Sequence, residues 1–215
     1  MIEDNIAQIL REIPNHVRVE AAVKTRTPDE IRRARDAGIT LLGENYIQEA
    51  NNHISVLGPI ASWHLIGSLQ TNKAGAAARL FDMVESLGSL HMAQALDRQC
   101  NQLSKVMPVL IEVNSGRELQ KSGVMPEAVP ELLCQLKGLT HLSVRGLMTM
   151  GPAVTDPEEL RPYFRETKIL FDTLAKDWPM TILSMGMSDS YRVAIEEGAT
   201  IVRLGTVIFG ARQYF

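Results

Sequence analysis

Short apolar runs and amphipathic stretches alternate along this chain from one end to the other. Residues 2–13 carry apolar positions at helical spacing and predict an opening helix. Eight strand candidates follow, at 17–24, 40–43, 62–66, 83–86, 108–113, 142–148, 181–184 and 200–204. Most are short and rich in Val, Ile and Leu, the pattern of parallel strands covered on both faces. Helical patterns separate them. Thr27 before Pro28-Asp29-Glu30 reads as an N-cap and a first turn. Asp156 precedes the sixth such helix, and Ser188 or Asp189 opens the seventh. "DAGIT" and "EEGAT" repeat one device, a glycine that ends a helix before a β-branched residue starts a strand. The longest expected loop is 151–157.

Eight strands alternating with helices predict an α/β fold, a (β/α)8 TIM barrel forming a single domain over 1–215. The alternative is a doubly wound open sheet. Against it, "VKTRTP" after the first strand contains no glycine, so a dinucleotide-binding turn is missing there.

Composition narrows the function classes. The chain has 215 residues, 45% hydrophobic and 22% charged, enough for one sizeable core. Its net charge of -3 comes from 22 basic and 25 acidic residues mixed along the sequence, with no stripe for nucleic acid and no polybasic membrane segment. Cys100 and Cys134 lie far apart in helical stretches and read as two buried thiols in a reducing compartment. The five histidines show no zinc spacing, so no metal is expected. An acidic N-terminus and the lack of a long apolar run leave no signal peptide and no membrane span, and a cytoplasmic protein is expected.

Barrels of this kind build their sites at the C-terminal ends of the strands. Lys24 ends the first predicted strand. A lysine placed there must find a partner, shift its pKa or form a covalent bond, unless it reaches out to water. A desolvated amine is the usual route to a Schiff base with a carbonyl compound. "SMGMSDS" and "RLGTVIFGAR", after the seventh and eighth strands, place glycines and hydroxyls before helix starts, a phosphate-binding arrangement. A lysine and a phosphate cup suggest a sugar phosphate handled as in a Schiff-base aldolase, or pyridoxal 5′-phosphate (PLP). Arg203 bears on the choice: facing a pyridine nitrogen, it would keep that nitrogen unprotonated and limit carbanion chemistry.

The segments "AAVKTR", "GENYIQEA", "WHLIGSLQTNK", "VLIEVN", "KSGV", "VRGLMTM", "LSMGMSDSYRVAIEEGAT" and "VRLGTVIFGAR" together resemble the YggS/PROSC family of PLP homeostasis proteins, whose fold is the barrel of the alanine racemase N-terminal domain. The likeness spans residues 21 to 212. It implies that Lys24 holds PLP as a Schiff base, that Ser188, Gly205 and Thr206 bind the phosphate with Ser184 and Met185 close by, and that Arg203 faces the pyridine nitrogen. It also implies that Asn45, His64 and Met148 line the ring pocket. Val23 replaces a common Ser or Thr, and Ser68 replaces a common histidine. Alanine racemases continue into a β-domain that supplies a catalytic tyrosine and the main dimer interface, whereas this chain ends at Phe215. The expectation is therefore a monomeric carrier that buffers PLP and delivers it to PLP-dependent apoenzymes. The alternative is a PLP-dependent amino-acid racemase of low activity. Lys121 is the second candidate lysine, and the tail "GARQYF" has no assigned role.

Overall fold

The computed structural model describes residues 1–211. Residues 212–215, which include Arg212 of the "VRLGTVIFGAR" segment and most of the tail, lie outside the described residues. Eight parallel strands close into a barrel in chain order: β1 (Arg18–Ala22), β2 (Leu41–Glu44), β3 (Ser62–Leu65), β4 (Met83–Leu87), β5 (Met107–Val113), β6 (Leu142–Thr149), β7 (Ile182–Ser184) and β8 (Ile201–Leu204). β8 pairs back onto β1, with Glu20 opposite Arg203. The expected (β/α)8 barrel is thus the observed fold.

The helices are α1 (Ile2–Glu12), α2 (Pro28–Asp36), α3 (Ile47–Leu57), α4 (Ala74–Leu80), α5 (Leu90–Gln102), α6 (Val129–Leu136), α7 (Arg161–Leu174), α8 (Tyr191–Glu196) and α9 (Thr206–Phe209). Thr27 caps α2 in a reciprocal capping box with Glu30. Asp156 forms a second capping box with Glu159, but a tight 3-10 turn, Pro157–Leu160, comes before α7. α8 begins later than expected. The N–H groups of Ser190 and Tyr191 both donate to Met187 O, which forms a turn over Ser188 and Asp189 and leaves Ser190 as the N-cap. The longest loop is 114–125, after β5, and not the segment around 151–157. Cys134 is exposed, not buried as expected, because it sits on the outer face of α6; Cys100 is buried.

Side-chain alternation along the strands separates two environments. Val84, Ile111, Leu147 and Leu183 face out and join the large core beneath the helices, with Phe81, Leu96 and Phe164. Met83, Leu110 and Met148 face in and form a small apolar cluster against Ile182. The opposite part of the interior is polar: Glu20, His64, Glu85, Ser184 and Arg203 are all buried there. Among the described residues no helix is long and apolar enough to cross a membrane.

Candidate functional site

β1 ends at Ala22, so Lys24 lies two residues beyond the strand and not on its last position. Val23 N–H still donates to Gly43 O at 3.0 Å, and the chain then turns sharply at Thr25, whose φ is 64°. A β-branched residue in that region is strained. Glu49, from α3, accepts the Thr25 N–H at 2.9 Å and secures the turn. The result is a half-buried Lys24 that faces a cavity of about 660 Å³ at the C-terminal mouth of the barrel. That volume suits a small organic ligand.

Six of the expected residues line this cavity: Lys24, Asn45, Ser188, Arg203, Gly205 and Thr206. Two glycines make the arrangement possible. A Cβ on Gly67 would lie 2.1 Å from Asn45 O, so the β3 loop passes this close to Asn45 only as glycine. Gly186, at φ 91°, would carry a Cβ 2.5 Å from that of Ala194; its carbonyl accepts the Arg203 N–H at 3.0 Å.

The turns after β7 and β8 meet at Ser188, whose hydroxyl accepts from Gly205 N at 3.1 Å and Val207 N at 3.3 Å. The N–H groups of Ser188, Asp189 and Thr206 find no acceptor among the described residues. Since α9 is a single turn, the anion-binding capacity here lies in individual N–H and hydroxyl donors and not in a helix dipole. Lys24, Arg26 and Arg203 outnumber the one carboxylate on the wall, Asp189, so the cavity favours an anion.

The other four expected residues lie outside the cavity lining. His64 and Ser184 belong to the buried layer beneath its floor. Met148 packs inside the barrel with Met83 and Leu110, and Met185 faces the outer core. Ser68 is exposed and apart from the cavity, and Val23 is fully buried. Lys121 belongs to a neighbouring cavity of about 230 Å³ beside Glu112 and Ser122, where it pairs with Glu118.

The buried layer is a chain of charged groups. Arg203 Nη1 donates to Ser184 Oγ at 2.6 Å and Nη2 to Thr149 O at 2.8 Å. Ser184 Oγ donates to Glu85 Oε2 at 2.6 Å. His64 Nδ1 lies 2.9 Å from Glu85 Oε1 and 2.8 Å from Glu20 Oε1. The angle at Nδ1 favours Glu85, whereas Glu20, slightly nearer, meets the imidazole off the N–H direction, and no other donor among the described residues reaches its oxygens. Burial opposes charge on His64, but the two carboxylates outweigh it and hold the imidazolium up to about 10. Burial also works against an ionised Glu85, yet His64, Arg203 and Ser184 bring its pKa below the ordinary value. Glu20 is pushed up, by burial first and by Glu85 second.

Several cavity residues escaped the sequence reading. Arg26 follows Lys24 by two positions; its guanidinium donates to Gly210 O at 2.7 Å and stacks 5.1 Å from the Phe209 ring centre. Ile66, Met150 and Met187 supply apolar wall. Glu20, in the layer beneath the cavity, also carried a usable signal, being an acidic residue among the apolar positions 19–23.

This fold and site define a class. The profile of the family described as "Alanine racemase, N-terminal domain" matches residues 1–213, and the chain belongs to that family. Within it, curated relatives include pyridoxal phosphate homeostasis proteins. That of Aquifex aeolicus is 40% identical over 203 residues, covering 93% of this chain and 89% of the relative. That of Pasteurella multocida is 38% identical over 230 residues, covering 99% and 98%. PipY of Synechococcus elongatus, solved with PLP bound, superposes with a TM-score of 0.90 at 32% identity, covering 98% of this chain and 100% of PipY. An alanine racemase of Clostridium difficile shares the fold alone, with a TM-score of 0.84 at 15% identity.

Proposed function

We propose that this protein binds pyridoxal 5′-phosphate as a Schiff base on Lys24 and serves in PLP homeostasis. The observation that carries this reading is one cavity that unites a lysine amine, an arginine and a cluster of unused N–H donors. The cofactor's three functional ends match these groups. Its aldehyde end would be held by the side-chain amine of Lys24, half-buried at the cavity wall. Its phosphate is taken by Ser188, Gly205 and Thr206, and its ring nitrogen is met by Arg203. Asn45, also on the cavity wall, would lie against the ring. Ser184 and His64 act from the layer below, while Met148 and Met185 shape the barrel through packing.

PipY's complex with PLP and the relatives' names support the same ligand. The whole chain, 1–215, acts as one PLP-binding unit. We assign it a cytoplasmic, monomeric role in which PLP-dependent apoenzymes receive the cofactor. The cavity supports exchange, because it opens at the barrel mouth beside Met150, which is itself exposed.

Binding of PLP and of pyridoxine 5′-phosphate, which has an alcohol in place of the aldehyde, tests this reading. PLP binds at least tenfold tighter, a difference of about 1.4 kcal/mol or more. Equal affinity removes the Schiff base from the account. Racemisation of single-enantiomer alanine by the PLP-loaded protein would make it an enzyme and not a carrier.

A further inference from the structure

Glu20, His64 and Glu85 are ionisable, buried and costly to place inside a barrel. None of them lines the cavity. Their arrangement has a direction, however. The Ser184 hydroxyl spends its one proton on Glu85, which leaves its lone pairs facing Arg203. We propose that Glu85 is a positioning residue that acts through Ser184 to hold the Arg203 guanidinium against the ring nitrogen of the bound cofactor. This rests on the PLP reading above.

Arg203 has five N–H donors. Nη1 is fixed by Ser184 and Nη2 by Thr149 O, from β7 and β6 respectively, so the guanidinium plane is set by two strands. The remaining donors are left for the cavity. With glutamine at position 85 a single uncharged oxygen remains for both the His64 N–H and the Ser184 proton, so the hydroxyl is no longer held and can turn that proton toward Arg203. The guanidinium then loses one tether and swings on the other. His64 completes the device. Its N–H, given to Glu85, keeps that carboxylate ionised and oriented, and Glu20 lies 2.8 Å from the same ring nitrogen. The guanidinium, the imidazole and the two carboxyl groups thus pack together in one buried layer.

A guanidinium held at the ring nitrogen keeps that nitrogen unprotonated. Release lets it take a proton from water, which alters the charge of the chromophore. The bound cofactor's absorption spectrum therefore reports on the tether.

The test uses Glu85→Gln, Ser184→Ala and Ser184→Thr in the full-length protein, each loaded with PLP, titrated for affinity, scanned for absorption and then reduced with borohydride. Glu85→Gln and Ser184→Ala are expected to retain a pyridoxyl group on Lys24, to move the absorption maximum, and to bind PLP roughly tenfold more weakly, the loss of one charge-assisted hydrogen bond. Ser184→Thr, which restores the hydroxyl, returns both readouts toward those of the unaltered protein. Ser184→Ala differs by one atom and carries the test if Glu85→Gln does not fold. Spectra and affinities of Ser184→Ala that match the unaltered protein overturn the proposal alone. An unaltered protein with no pyridoxyl group on Lys24 sinks the cofactor reading, and this proposal with it.

Discussion

The two buried carboxylates beneath the cavity should respond very differently to loss of charge. Glu85 accepts hydrogen bonds from His64 at 2.9 Å and Ser184 at 2.6 Å. Glu20 sits 2.8 Å from His64 but receives no directed N–H, and Gly43 leaves just enough room for its carboxyl. Hydrogen bonds to a charged group contribute about 1.5–3 kcal/mol each. Removing one partner from a buried ion pair costs about 3–5 kcal/mol in total, because the remaining charge is left uncompensated. Glu85→Gln should therefore destabilise the cofactor-free protein by about 3–5 kcal/mol at pH 7. Glu20→Gln, which replaces a carboxyl already biased toward its neutral form, should cost under about 1 kcal/mol. Urea denaturation followed by far-UV dichroism and by tryptophan fluorescence gives both numbers, with coincident curves as the check on a two-state analysis. Equal losses for the two variants, or a larger loss for Glu20→Gln, would refute the assignment of donors within this cluster.

Three further outcomes follow from the same geometry. The pKa of His64 rises from 6.5 to about 10 on folding, so its contribution is fully present below 6.5 and is lost as pH climbs through about 10; Glu85, lowered on folding, contributes above 4.5 and loses that contribution in acid. The thermal midpoint should fall toward both limits, and His64→Gln should flatten the alkaline limb. Ser188→Ala removes the acceptor of Gly205 N and Val207 N along with a phosphate donor, and PLP titration should show roughly tenfold weaker binding, with unchanged affinity as the contrary result. Gly67→Ala drives a Cβ to within 2.1 Å of Asn45 O and should lower stability by about 1–3 kcal/mol in urea, whereas a neutral outcome would mean that the two loops are not in contact.

The barrel was legible because each of its signals is local. Short β-branched runs, Thr27 with Glu30, and the glycines that close helices all act within a few residues of where they stand. The mouth residues Lys24, Ser188, Arg203, Gly205 and Thr206 followed from strand ends and turn chemistry. Long-range geometry was less legible. His64 and Ser184 face inward, but one layer too deep to line the cavity, since depth depends on strand stagger around a closed barrel and not on position within one strand. Met185 alternates to the helix side, a parity that the loop-rich "SMGMSDS" obscures. α8 starts at Tyr191 because the Ser188 hydroxyl is engaged across the chain with the β8 turn, a partner no local pattern reveals. Arg26 was missed for the opposite reason: its place at the cavity comes from a strained turn at Thr25, held by Glu49 from another helix.

The most direct measurement is borohydride reduction of the PLP-loaded protein followed by peptide mapping. The account predicts one pyridoxyl group, on Lys24, together with loss of visible colour in Lys24→Ala. A modified residue elsewhere, or a Lys24→Ala protein that binds PLP with undiminished colour, would contradict it.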